Sequence, residues 1–132
     1  MKLSTPLMLL LLLAATPFAM AATPNELLAE YTAKAGAPAS PERGQKFFTT
    51  NFGKEMGYSC SSCHGAVPVS SGQDLVREKP IPPLAPAANA KRFTDRQKVE
   101  FNFKLNCKDV VGRECTAGEK ADLLSWLLTL KP

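Results

Sequence analysis

At 132 residues, the chain is long enough for one domain and too short for two. Its 16 basic and 12 acidic side chains leave a formal net charge of +4. They form no basic stripe interleaved with aromatics, which excludes a nucleic-acid partner.

The chain opens on a leader pattern. Met1-Lys2 is a positive start, Leu7 to Ala15 an apolar stretch, and Ala19-Met20-Ala21 a small-x-small cleavage site. The apolar stretch is too short to span a bilayer as a stable helix. Cleavage after Ala21 is expected, which makes 1–21 a signal peptide and 22–132 the mature domain. Retention as a membrane anchor is the alternative. Export to the periplasm would put all four cysteines in an oxidising compartment, where disulfides persist.

Residues 25–35 place Leu27, Leu28, Tyr31 and Ala35 on one side, the pattern of a short amphipathic helix ending at Gly36. Ser40-Pro41-Glu42 then supplies an N-cap, a first-turn proline and an early acid. On this second helix Gly44, Phe47, Phe48 and Asn51 share a face, and the glycine would let another helix approach closely.

Cys60-Ser61-Ser62-Cys63-His64 is the attachment pattern of c-type haem. The two thiols can form thioethers with the porphyrin vinyl groups, and the histidine can bind the iron. Such haem is attached outside the bacterial cytoplasmic membrane, so the leader and the motif agree. With Cys60 and Cys63 holding haem, Cys107 and Cys115 remain, and a disulfide between them is the economical reading. The mature chain is small for a self-sufficient core, and a buried haem would add a large apolar surface.

Residues 65–93 carry most of the mature prolines, densest from Lys79 to Pro86. Proline is excluded from helix interiors and central strands, so an ordered, extended loop is expected. Val67, Val69, Leu75, Ile81 and Leu84 would be its apolar anchors; a disordered linker is the alternative. Thr94-Asp95-Arg96-Gln97 reads as a capping box opening a helix to about Asn106. On that helix Val99, Phe101, Asn102, Phe103, Leu105 and Asn106 fill one arc, and Gln97, Glu100, Lys104 and Lys108 the opposite side. Two asparagines thus fall within an apolar arc. Thr116 to Glu119 is a further capping box, opening a last helix rich in leucine around Trp126, with Asp122, Ser125 and Thr129 on its wet side. No strand is expected.

His64 is the sole histidine. Of the four methionines, Met1, Met8 and Met20 fall in the leader, and Met56 precedes the haem motif on the wrong part of the chain to reach the opposite face. The usual sulfur ligand of electron-transfer cytochromes c is therefore missing. The sixth position would then be vacant, filled by water or held by a weaker donor, with lysine serving only if burial deprotonated it and Cys107 only if it stayed reduced. The amides of Asn102 and Asn106 remain, as an iron ligand or as partners of each other or of backbone groups.

Several runs together resemble the sphaeroides haem protein family over most of the mature chain. They are Lys91 to Asp95, Asn106 to Thr116, Glu119-Lys120, Leu123 to Leu127, Cys60 to Gly65 and the Lys79 to Pro86 loop. Asn-Cys with a second Cys eight residues on is the specific part. The resemblance implies an all-α, variant class I cytochrome c fold of about four to five helices around one covalent haem c, with a long Pro-rich loop. It implies oxygen binding, Asn106 as the sixth iron ligand, and a Cys107–Cys115 disulfide bracing the ligand loop. A related methylotroph cytochrome with a redox-released histidine carries His where this chain has Asn106. Gly44, Phe48 and Trp126 would lie where the N- and C-terminal helices cross.

An amide oxygen prefers ferric to ferrous iron, so reduction should free a site for O2, NO or CO, with Asn106 as the catalytic gate. The resemblance also implies a dihaem cytochrome c and a membrane cytochrome b as electron donors, with oxygen reduction or NO oxidation as possible enzymatic outcomes. A plain electron carrier and a gas or redox sensor are the competing readings.

Overall fold

The computed structural model describes residues 21–53 and 57–132. All of the expected leader but Ala21, and Met56 with it, lies outside them. Five helices and a hairpin follow in order: α1 (Pro24–Ala35), α2 (Pro41–Thr49), α3 (Cys60–His64), β1 (Gly72–Asp74), β2 (Lys79–Ile81), α4 (Arg96–Val110) and α5 (Ala117–Leu127). Among the described residues no helix is long and apolar enough to cross a membrane.

The core is built by α1, α2 and α5. Thr23 and Glu26 form a reciprocal capping box at the start of α1, and Gly36 ends it with φ +67°. Leu27 and Tyr31, four residues apart, are the side chains α1 buries. On α2, Ser40 caps the helix, and Gly44 and Phe48 face inward. They meet α5, which Thr116 and Glu119 box at its start. Leu124, Trp126 and Leu127 complete this core, with Phe48 and Trp126 ring centroids 5.0 Å apart. The glycine and aromatic residues implied for a helix crossing therefore do meet there.

Asp122 corrects the expectation of a wet side: it is only 8% exposed. Its carboxylate accepts from the Ser40 backbone N–H at 2.7 Å and from two nitrogens of the Arg43 guanidinium at 2.7 and 2.8 Å. A charge is tolerated there because three donors replace its water. Asp122→Ala should destabilise the protein by about 2–3 kcal/mol, below the full cost of breaking a buried pair because Arg43 can return to water. Urea denaturation checks this, and an unchanged midpoint would show the pair to be idle.

The fourth helix departs from expectation in three ways. Its cap is Asp95, which accepts from the Lys98 backbone at 3.0 Å; Thr94 instead donates to the Lys91 carbonyl. It runs on to Val110 and closes at Gly112 with φ +81°, since nothing between Cys107 and Val110 breaks a helix. Its buried side chains are Val99 and Cys107 with Phe103 partly covered, whereas Phe101 is 61% exposed and Leu105 44%. Glu100, expected in water, accepts from the Tyr31 hydroxyl at 2.6 Å and from the Lys120 ammonium at 2.7 Å. The partners on α1 and α5 turn the helix toward its polar flank.

The proline-rich segment is ordered, so the linker alternative fails. It also contains a departure from the all-helical expectation, a short antiparallel hairpin pairing Gly72 with Ile81 and Asp74 with Lys79. Pro80 sits in this two-stranded edge, where a missing N–H is tolerated. The Pro68 carbonyl accepts from both Leu84 and Ala85, and Arg92 donates to the Pro82 and Pro83 carbonyls. The buried anchors are Pro68 and Ala85, while Val67 and Leu75 stand exposed.

Candidate haem-binding site

The third helix is only five residues long, yet its spacing does the positioning. Positions i, i+3 and i+4 share one side of a helical turn, which sets Cys60, Cys63 and His64 together. Ser59 starts the turn, its N–H donating to the Ser62 hydroxyl at 3.1 Å. Gly72 of β1 lies directly against the backbone of Cys63 and His64, with no room for a side chain between them.

These three residues line a cavity of about 650 Å³, within the roughly 300–1,000 Å³ range of cofactor pockets. Phe47 and Phe48 of α2, Ile81, Pro82 and Leu84 of the loop, and Leu123 of α5 supply apolar wall. Asn102, Phe103, Asn106 and Cys107 of α4 form another wall, and Lys91, Arg92 and Lys98 are basic lining groups. The structure thus gathers Cys60, Cys63, His64 and both candidate asparagines around one space. Among the described residues, no hydrogen bond joins the two amides.

Burial, helped by the positive charge of Arg92, pulls His64 down to about 4. The imidazole is therefore neutral at physiological pH, the form that binds a metal. Burial, reinforced by neighbouring Cys63, pushes the Cys60 thiol up to about 11. The two cysteines are not paired with each other. Two free thiols, a neutral imidazole, apolar walls and basic groups for acidic substituents make a donor set that fits haem c.

Cys107 and Cys115 do pair, with Cα atoms 5.6 Å apart. Both are buried beside Val111, Phe47, Phe52 and Phe103. The link closes an eight-residue separation immediately after Asn106 and contributes about 2–3 kcal/mol in the chain-entropy model.

Sequence reasoning named Lys91 and Arg92 as candidate partners of the haem propionates, with a solvated basic pair as the alternative, but missed what Arg92 does in the fold, and it missed Gly72 altogether. Arg92, half-buried, pins the proline loop and acts electrostatically on His64; a long donor-rich side chain following a run of proline carbonyls is the signal that could have found it. Gly72 had no local signal, because its need for space comes from a helix eight residues earlier. Phe48 has a second role beyond the core, since its ring also flanks His64 at 6.3 Å between centroids.

The family profile described as a domain of unknown function, DUF1924, matches residues 34–127. The chain is 50% identical over 107 residues to cytochrome c-type protein SHP of Cereibacter sphaeroides, covering 80% of this chain and 82% of that one. The solved structure of oxidised SHP, described as an oxygen-binding cytochrome c, superposes with TM-score 0.77 at 48% identity, covering 82% of this chain and 97% of that one. The solution structure of Methylophilus methylotrophus cytochrome c'', described as giving insight into haem-ligand detachment, superposes with TM-score 0.74 at 38% identity, covering 83% of this chain and 94% of that one. With a shared class I-like fold, a cysteine–histidine motif on one cavity wall and this degree of identity, the chain belongs to the sphaeroides haem protein family of c-type cytochromes.

Proposed function

We propose that the protein is a periplasmic monohaem cytochrome that accepts electrons and binds a diatomic gas where an asparagine ligand lets go. One observation carries this reading. The α4 wall of the cavity offers amides, from Asn102 and Asn106, and its one sulfur donor, Cys107, is tied to Cys115. The haem, when bound through Cys60 and Cys63, supplies the iron at which the gas binds. His64 holds the proximal side as a neutral imidazole. Its other ring N–H would donate to a carbonyl of the proline loop, that of Pro68, Pro82, Pro83 or Pro86.

Asn106 would be the second protein ligand of the bound haem, through its amide oxygen. A hard, neutral donor holds ferric iron better than ferrous, so reduction would favour its departure, and its NH2 group could then donate to the incoming ligand. The disulfide immediately after it limits the swing. A dihaem cytochrome c and a membrane cytochrome b are the proposed electron donors, and oxygen reduction or NO oxidation the proposed chemistry. The oxygen binding and haem-ligand detachment named for the two solved relatives support this direction.

A carbon monoxide difference spectrum of the reduced protein tests the reading. Rapid CO binding to a high-spin ferrous haem is expected; a six-coordinate ferrous haem that refuses CO would make the protein a plain electron carrier. Asn106→Ala should convert the ferric spectrum to a water-ligated form, while Asn102→Ala should leave the ferric coordination intact. An unchanged Asn106→Ala spectrum would reject this residue as the ligand.

A further inference from the structure

We propose that Lys120 of α5 is the positioning residue that keeps Asn106 turned toward the haem cavity, acting through Glu100 and Phe103 of α4. This role rests on Asn106 being the ligand proposed above and adds what holds it in place. Among the described residues, α4 packs broadly against no other helix, unlike α1 and α2, which lie along α5. Side chains tether it instead. Arg96 pairs with Glu30, Glu100 bonds to Tyr31 and Lys120, Phe103 packs on the core, and Cys107 is joined to Cys115. These four positions fall at i, i+4, i+7 and i+11, one stripe along the helix. Asn102 and Asn106 lie about a quarter-turn or more round from it at 3.6 residues per turn, where they line the cavity. Whatever fixes the tethered stripe therefore fixes where the amides face.

Of these tethers, the one to Lys120 is best placed to resist rotation. The Lys120 side chain is only 17% exposed. Its ammonium donates to one Glu100 oxygen at 2.7 Å, while the Tyr31 hydroxyl donates to the other at 2.6 Å. The same ammonium stands 5.3 Å from the centre of the Phe103 ring and 5.4 Å from that of Tyr31, within reach of a cation–π contact. Tyr31 also meets Phe103 edge-on, with ring centroids 5.9 Å apart. One cation thus grips α4 at two points a turn apart, from a helix that is itself packed into the core. Phe103 lines both the haem cavity and an outer hollow of about 210 Å³ that Glu100 and Lys120 share with Lys104 and Glu114. It is the wall between this ion cluster and the space that Asn106 faces. The disulfide fixes the chain beside Asn106 at one point, about which a helix can still pivot, and Arg96 holds only the first turn. Lys120 supplies the hold midway.

Imidazole binding to the ferric, haem-loaded protein tests this, because added imidazole must displace the amide. Asn106→Ala sets the upper limit of affinity. Lys120→Leu, which keeps an apolar stem and loses the cation, should bind imidazole about tenfold more tightly than wild type, since a less populated amide-bound form competes less. Lys120→Arg should restore most of the wild-type value. Glu100→Gln, which still offers Tyr31 an acceptor, should shift affinity in the same direction by a smaller factor, and it carries the test should Lys120→Leu fail to retain haem. In the Asn106→Ala background, Lys120→Leu should change nothing further. Equal tightening with and without Asn106 would overturn the proposal, since Lys120 would then govern access to the cavity rather than the ligand. So would unchanged affinity in whichever of Lys120→Leu and Glu100→Gln retains haem. An Asn106→Ala protein that binds imidazole no better than wild type would reject the ligand assignment itself, and the positioning role with it.

Discussion

Gly72→Ala is expected to cost the protein most of its haem. A β-carbon built at Gly72 would overlap the Cys63 carbonyl oxygen and stand 2.9 Å from the His64 α-carbon. Both obstacles are backbone, so no side-chain rotation relieves them. Either β1 leaves α3 or the cysteine–histidine turn is displaced, and the two thiols and the imidazole lose their common orientation toward the cavity. Overpacking of this kind costs about 3 kcal/mol or more when the backbone cannot move aside. The ratio of Soret absorbance to protein reads the result directly. Wild-type haem content with an unchanged urea midpoint would show that the hairpin is not part of the site.

The second large effect is expected at the crossing of α2 and α5. A β-carbon at Gly44 would overlap the Asp122 carbonyl oxygen and stand 2.9 Å from the Leu123 backbone nitrogen. Gly44→Ala must therefore push apart the helices that bury Phe48, Leu124 and Trp126 between them, again at about 3 kcal/mol or more. Gly118→Ala is the matched control. Its β-carbon would meet nothing closer than the Ala35 β-carbon at 3.8 Å, and a helical glycine exchanged for alanine gains up to about 1 kcal/mol. Chemical denaturation of the haem-loaded proteins should separate these variants by several kcal/mol. Similar midpoints would mean that the crossing is loose enough to absorb a methyl group.

Both glycines show how unevenly the chain discloses its fold. Gly44 was legible because it shares a helical face with Phe48, and a missing side chain on a buried face implies close approach. Gly72 was not, because it lies in a three-residue strand whose partner contains a proline. The capping boxes divide in the same way. Thr116–Glu119 behaves as its spacing states, whereas the Thr94–Gln97 pattern loses to Asp95, a stronger acceptor one residue later. The Thr23–Glu26 box at the start of α1 went unread.

Charged residues on α4 and α5 were the hardest to place. Periodicity sorted Glu100 and Asp122 into water, since a carboxylate is ordinarily excluded from a core. Asp122 is drawn inward by Arg43 and Ser40, whereas the Glu100 side chain stays 42% exposed while accepting from Lys120 and Tyr31. The same rotation of α4 leaves Phe101 and Leu105 outside. Which side of an amphipathic helix is covered depends on what it packs against, and a single helix does not carry that information.

The haem motif needed no tertiary structure, because five consecutive residues hold both thiols and the proximal imidazole within one turn. The lack of a second histidine or a usable methionine was a matter of counting. The sequence by itself therefore pointed to the haem and to the residues that would attach it, and left the two amides as candidates for the other axial donor. Only the tertiary structure decided the rest: that Asn102 and Asn106 line the same cavity as His64, that Cys107 is removed as a rival donor, and that Arg92 and Gly72 hold the proximal side. Those are distances between segments far apart in the chain, set by packing of the whole domain rather than by any local propensity.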